Sequence, residues 1–216
     1  MALKLVTPPA ITAVSVAQAK SYLRISGTSD DAMLELMIAA ATEQLEMLTS
    51  RRFITSTWRY TRDQWPHVGF RDPYRGLDYM PRQGAIQDWV GGNATDYFEL
   101  PIYPIIAITS FKTFDNAAAE TTVNPLVYSL DTHSQPARIK LNHAMSWPTT
   151  AIRSTNGIEV VFTAGYGSSA ESVPAGLRQA ILDLVAHYYQ NRGCDPDALP
   201  AGVQSLIAPY MIYRIG

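Results

Sequence analysis

The chain has 216 residues, 47% of them hydrophobic and 17% charged, with a formal net charge of −2. That length allows one large domain or two small ones, and a charged fraction below the usual ~25% leaves surface for partners to cover. No basic run exceeds Arg51-Arg52, which argues against a protein that grips duplex DNA through counterion release.

The lone cysteine, Cys194, leaves no partner for an internal disulfide and suits a reducing cytoplasm. Met1 to Ala13 lacks a charged start followed by an apolar stretch, so no signal peptide is expected. No apolar run approaches the ~20 residues of a membrane span.

Leu3 to Val14 reads as extended and is broken at Pro8-Pro9. Ser15 and Gln18 have the spacing of a capping box, which opens a short helix from Val16 to about Arg24. Gly27 and Ser29 interrupt the chain. Asp30-Asp31 then begin a longer helix to about Ser50; acidic residues suit its start and Arg51-Arg52 its end. Leu34, Met37, Ile38, Ala41, Leu45 and Leu48 form its core stripe at three-to-four spacing. Leu36, Ala40 and Met47 lie on another side, available either to the chain's own core or to a neighbouring subunit.

From Thr57 to Arg62 the pattern alternates as a strand does. Residues 66–96, rich in glycine and proline, read as a long loop. Its aromatics, with Trp65 beside it, argue against plain disorder. Strands are expected at Tyr97–Leu100, Ile105–Phe114, Thr121–Val123, Val127–Leu130, Arg138–Leu141 and Ile158–Thr163, with turns at Asp115-Asn116 and Asn156-Gly157. Pro174 opens a helix whose core stripe is Leu177, Ile181, Leu184, Val185 and Tyr188. A short helix, Val203 to Ala208, and an apolar end close the chain. The fold class is α+β: a discontinuous helical domain, 1–56 and 166–216, interrupted by a mostly antiparallel β-rich insertion, 57–165.

The search for chemistry is mostly negative. Gly165, Gly167 and Ala170 fit a G-x-G-x-x-A turn, but the helix opens too late and no acid stands about 20 residues on, so a plain turn is expected. Phosphate loops, zinc helices and nucleophile elbows are absent from the sequence. Cys194 reads as a bystander thiol. Asp183 and His187 are one helical turn apart and are expected to pair on a polar face. Asp131 with His133 and His143 could gather a metal only if two strands aligned. No catalytic, cofactor-binding or metal residue is assigned.

Several fragments together resemble a family. They are Thr7-Pro8-Pro9 followed by Val16 to Arg24; Asp30-Asp31 through the long helix to Arg51-Arg52; Leu100-Pro101 leading to Ile108-Thr109-Ser110-Phe111; and Tyr128 to Asp131. Ser146-Trp147-Pro148, Phe162 to Gly167, Val173-Pro174 with its helix, and Leu206 to Tyr210 complete the set. In this order they resemble the head–tail connector (adaptor or head-completion) proteins of long-tailed phages and gene transfer agents. Residues 66–96 depart from the pattern by their length.

The resemblance implies a virion protein made in the host cytoplasm. It would be a structural component and not an enzyme, a homo-oligomeric ring of twelve subunits beneath the portal protein. It would extend the DNA channel without reading sequence and dock the next tail or stopper component. A ring needs two different patches on each subunit; the candidates are Leu36, Ala40 and Met47 on one helix and Leu182, Ala186 and Tyr189 on the other. The C-terminal Val203, Leu206, Ile207, Tyr210, Met211 and Tyr213 are candidates for docking on portal, or else strap their own domain. A stopper or tail-terminator, and a ligand-binding module carried by the β insertion, are the alternatives.

Overall fold

The computed structural model describes residues 2–66, 97–191 and 199–211. The expected loop beyond Pro66, together with Cys194, His67 and Tyr213, lies outside the described residues. Among the described residues, four α-helices accompany eight strands: α1 (Val16–Leu23), α2 (Asp31–Thr49), α3 (Ala175–Asn191) and α4 (Ala201–Ile207). The strands are β1 (Ala2–Thr7), β2 (Ser56–Arg62), β3 (Tyr97–Glu99), β4 (Ile105–Phe114), β5 (Glu120–Thr122), β6 (Tyr128–Asp131), β7 (Arg138–Leu141) and β8 (Ile158–Ala164). They form a five-stranded sheet, order β1-β2-β8-β4-β5, and a three-stranded sheet, order β3-β7-β6. Pairing is antiparallel for β4 with β5 and for β7 with both β3 and β6. The class is α+β.

The chain divides into two compact units, one of residues 5–58, 101–107 and 162–216, the other of 1–4, 59–100 and 108–161. The first holds the helices. α1 starts at the Ser15–Gln18 capping box, both bonds of which form, and stops at Arg24 in the left-handed conformation, φ 56°. α2 packs on α3, and α3 on α4. Their shared core contains Leu34, Ile38, Ala41 and Leu45 of α2 and Leu177, Ala180, Ile181, Leu184 and Val185 of α3.

Three expectations for these helices are corrected. Leu48 is exposed while Thr49 is buried, because the Thr49 hydroxyl is satisfied by the Leu45 carbonyl at 2.7 Å and so enters the core at little cost. Arg51 and Arg52 do not serve the end of α2. Arg52 instead bridges Glu46 at 3.1 Å and lies 4.5 Å over the Trp58 ring, and Arg51 turns toward Tyr166 and Tyr210. Asp183 does not pair with His187: it accepts hydrogen bonds from Tyr22 at 2.6 Å and Gln179 at 2.7 Å, while His187 meets Asn191.

The glycine turn has a structural cause. Gly165 has φ 139°, and a Cβ there would stand 2.6 Å from the Thr55 nitrogen and 2.7 Å from the Ile54 carbonyl oxygen. Only glycine lets these two backbones approach so closely. Tyr166 then donates its N–H to the Phe53 carbonyl at 3.2 Å, and Thr55 donates to the Gly167 carbonyl at 2.9 Å. The turn fastens the segment after α2 to the segment before α3.

The other unit has an aromatic core. Trp65 stacks on Trp147 with ring centres 4.9 Å apart, and Phe98 meets both edge-on or nearly so. Phe111 joins Phe98 and Tyr128. Such pairs add about 0.5–1.5 kcal/mol each beyond their buried area. Arg62 lies 5.2 Å over Phe98 and Arg153 lies 4.6 Å over Phe114.

Candidate assembly surfaces

α2 is a helix with two kinds of apolar surface. One stripe is spent on the core. The other is not: Leu36 is 72% exposed and Met47 70%, and Ala40 between them is exposed. These three recur at four- and seven-residue spacing, which sets them along one side of the helix. Large apolar side chains this open on a single helix face make it a candidate assembly surface.

The second candidate patch is placed differently. Leu182, Ala186 and Tyr189 on α3 are half-buried, and Leu182 and Tyr189 pack against the helical core. The Tyr189 hydroxyl donates to Asp30 at 2.8 Å, so its polar end is already occupied. α3 is further tied to α2 by Tyr188 donating to Gln44, and α1 is tied to α2 by Lys20 pairing with Asp31 at 2.7 Å. The acidic start of α2 therefore anchors α1 and α3 as well as complementing its own N-terminus.

The C-terminal candidates divide. Val203 and Ile207 are buried in the protein's own core. Leu206, Tyr210 and Met211 are half-buried against it. Tyr213 lies outside the described residues. Sequence periodicity also missed exposed apolar residues outside long helices: Leu5, Val6 and Ile11 near the start, Ile106 on β4, and Leu126, at 74% exposure. Single exposed apolar residues in strands, turns and irregular chain carry no helical period by which to find them.

The polar groups serve the fold. Asp131 accepts two bonds from Arg138, at 2.7 and 3.2 Å, and the backbone N–H groups of His133 and Ser134 at 3.0 and 3.2 Å. Arg138 above all holds its carboxyl down to a pKa of about 2. Asp131 thus organises the β6–β7 turn. Glu46 is pushed above the usual carboxylate range by burial, against the pull of the Phe53 N–H at 2.7 Å and of Arg52. Burial likewise raises the Tyr166 hydroxyl. Among the described residues no three His, Cys, Asp or Glu side chains gather around a metal position, and no helix is long and apolar enough to cross a membrane.

Residues 13–75 match the sequence pattern of the phage gp6-like head-tail connector proteins. No curated protein matches the chain. Among solved structures, the chain is similar to a component of the neck of an empty gene transfer agent particle, computed with C6 symmetry. The TM-score is 0.77 and the identity 27%, over 100% of this chain and 97% of that one. Components of the native particle's virion and of its neck, computed with C12 symmetry, match at a TM-score of 0.74, with the same identity and coverage. The likeness to head–tail connector proteins is thus carried in sequence by residues 13–75 and in structure by a similarity to gene transfer agent neck components that runs the whole length of the chain.

Proposed function

We propose that the protein is a structural connector at the head–tail junction of a virion, built as a ring under the portal. The observation that carries this reading is the end-to-end likeness to neck components, 100% of this chain on 97% of theirs, in particles whose necks were computed with C6 and C12 symmetry.

In this reading the helices from the two ends of the chain, 1–56 and 166–216, make the ring body, and residues 57–165 are inserted into it. Leu36, Ala40 and Met47 on one subunit meet a different patch of the next, Leu182, Ala186 and Tyr189, since a closed ring requires heterologous contacts. The α2 stripe is the better-exposed half of that pair. Twelve copies surround the channel, DNA passes without sequence-specific contact, portal lies on one side and the next tail component on the other. The role is structural, without a catalytic step.

Negative-stain electron microscopy of the purified protein, alone and with its portal, tests the proposal. Rings on portal are the expected result. Failure to ring on a matching portal, by protein that is folded and monodisperse, counts against it.

A further inference from the structure

β1 lies at the edge of the five-stranded sheet, and its own fold covers almost none of it. Every residue of Ala2–Thr7 except Leu3 is exposed, whereas β8 in the same sheet buries alternate residues. The chain beyond β1 stays exposed as far as Thr12. Of the ten large apolar side chains exposed among the described residues, Leu5, Val6 and Ile11 belong to this stretch, and Leu36, Met47 and Leu48 to α2. The uncovered apolar surface is thus concentrated in two stretches, one extended and one helical, and a ring needs two unlike patches on each subunit. The α3 patch offers the α2 stripe little free surface, being half-buried with Tyr189 engaged on Asp30. The stripe also carries a charge. Glu43 stands one turn from both Ala40 and Met47, is exposed, and enters no ion pair among the described residues, while Asp31 pairs with Lys20 and Glu46 with Arg52. β1 carries the matching cation, Lys4, which is exposed and likewise outside every ion pair among the described residues.

We propose that β1 of one subunit lies across the Glu43–Met47 end of α2 on the next, with Lys4 on Glu43 and Val6 on Met47, leaving Leu36 to the α3 patch. The proposal rests on the connector reading, which makes the partner a second copy of this chain. The spacings agree. Lys4 and Val6 share one face of the strand, about 6.6 Å apart, and Glu43 and Met47 share one side of the helix, about 6 Å apart. Setting Lys4 opposite Glu43 therefore sets Val6 opposite Met47. Lys4 within β1 and Pro8-Pro9 after it are residues of the kind that keep an open sheet edge from recruiting further strands, so the neighbour covers the faces of β1 and not its edge. The apolar contact supplies most of the attraction, and the opposite charges fix the register and disfavour wrong pairings.

A carbodiimide joins a lysine amine to a carboxylate that touches it, and reads this contact in rings assembled on portal from an equal mixture of isotopically heavy and light full-length protein. A Lys4–Glu43 linked peptide with one heavy and one light half is the expected product, because only two different subunits can give it. Rings that yield no such mixed peptide overturn the proposal. Lys4→Glu and Glu43→Lys, made singly, set like charges face to face. Each is expected to raise the protein concentration needed for rings by roughly fivefold or more. Combining the two restores an opposite pair and should return that concentration close to the unmodified value, a rescue that damage to the fold would not show. Single variants that assemble as readily as the unmodified protein overturn the contact, and so does a combined variant no better than the worse single one. If the unmodified protein forms no rings on portal, the connector reading fails and the contact falls with it. Rings without the mixed peptide remove the contact alone and leave the connector reading standing.

Discussion

In a Leu36→Glu, Met47→Glu double variant, two side chains that lie mostly outside the subunit's own core acquire charge. Their exposures are 72% and 70%, so together they hold rather more than one whole side chain of uncovered apolar surface. Covering one such side chain stabilises by about 1.5–3 kcal/mol, which makes the pair worth about 2–4 kcal/mol at each subunit contact. That is roughly thirty- to several hundred-fold in the association constant of each contact. Two carboxylates facing an apolar neighbour add a desolvation cost on top. The isolated subunit should barely notice, since exposed substitutions usually change stability by less than about 0.5 kcal/mol. Thermal melting should therefore match the unmodified protein, while counting rings on portal by electron microscopy should show them lost. Rings forming as readily from the double variant as from the unmodified protein would remove the α2 stripe from the interface.

Other variants probe the fold. Gly165→Ala places a methyl 2.6 Å from the Thr55 nitrogen at a φ of 139° and should cost about 2–5 kcal/mol in urea unfolding. Trp147→Ala removes the ring stacked on Trp65 and should cost about 3–5 kcal/mol by the same measurement. Asp131→Asn tests the turn at β6–β7 through pH. Its folded carboxyl titrates near 2, below the unfolded value, so the stability it adds is present above the ordinary carboxylate range and is lost as pH falls toward 2. The melting temperature of Asp131→Asn should lie below that of the unmodified protein at pH 6 and converge on it as pH approaches 2.

Much of this architecture was legible in residue order. Ile158, Val160, Phe162 and Ala164 alternate inward in β8 as their spacing predicts, and Ser15 with Gln18 fixes the start of α1. What escaped depended on partners distant in the chain. Asp183 has His187 one helical turn away, yet its partner Tyr22 stands 161 residues away in the chain. Thr49 looks like a surface residue until its hydroxyl is seen on the carbonyl one turn back. Trp65 and Trp147 come from irregular segments, where no period announces a core position. For the assembly surface, the stripe on α2 was readable because a long helix repeats its faces. The short α4 has too few turns to say which way Val203 and Ile207 point.

The backbone bonds from Tyr166 to Phe53 and from Thr55 to Gly167 hold two points of the chain side by side that are more than a hundred residues apart in sequence. The chain between them does not stay away: residues 101–107 belong to the helical unit, with the Tyr103 N–H on the Ser50 carbonyl at 3.0 Å and the Gly165 N–H on the Pro104 carbonyl at 2.9 Å. The excursion is thus two loops pinned at a common point, and lengthening either costs little in closure entropy, about 0.6 kcal/mol for each doubling. A lineage could lengthen one loop while the pin kept the contacts beside it in place.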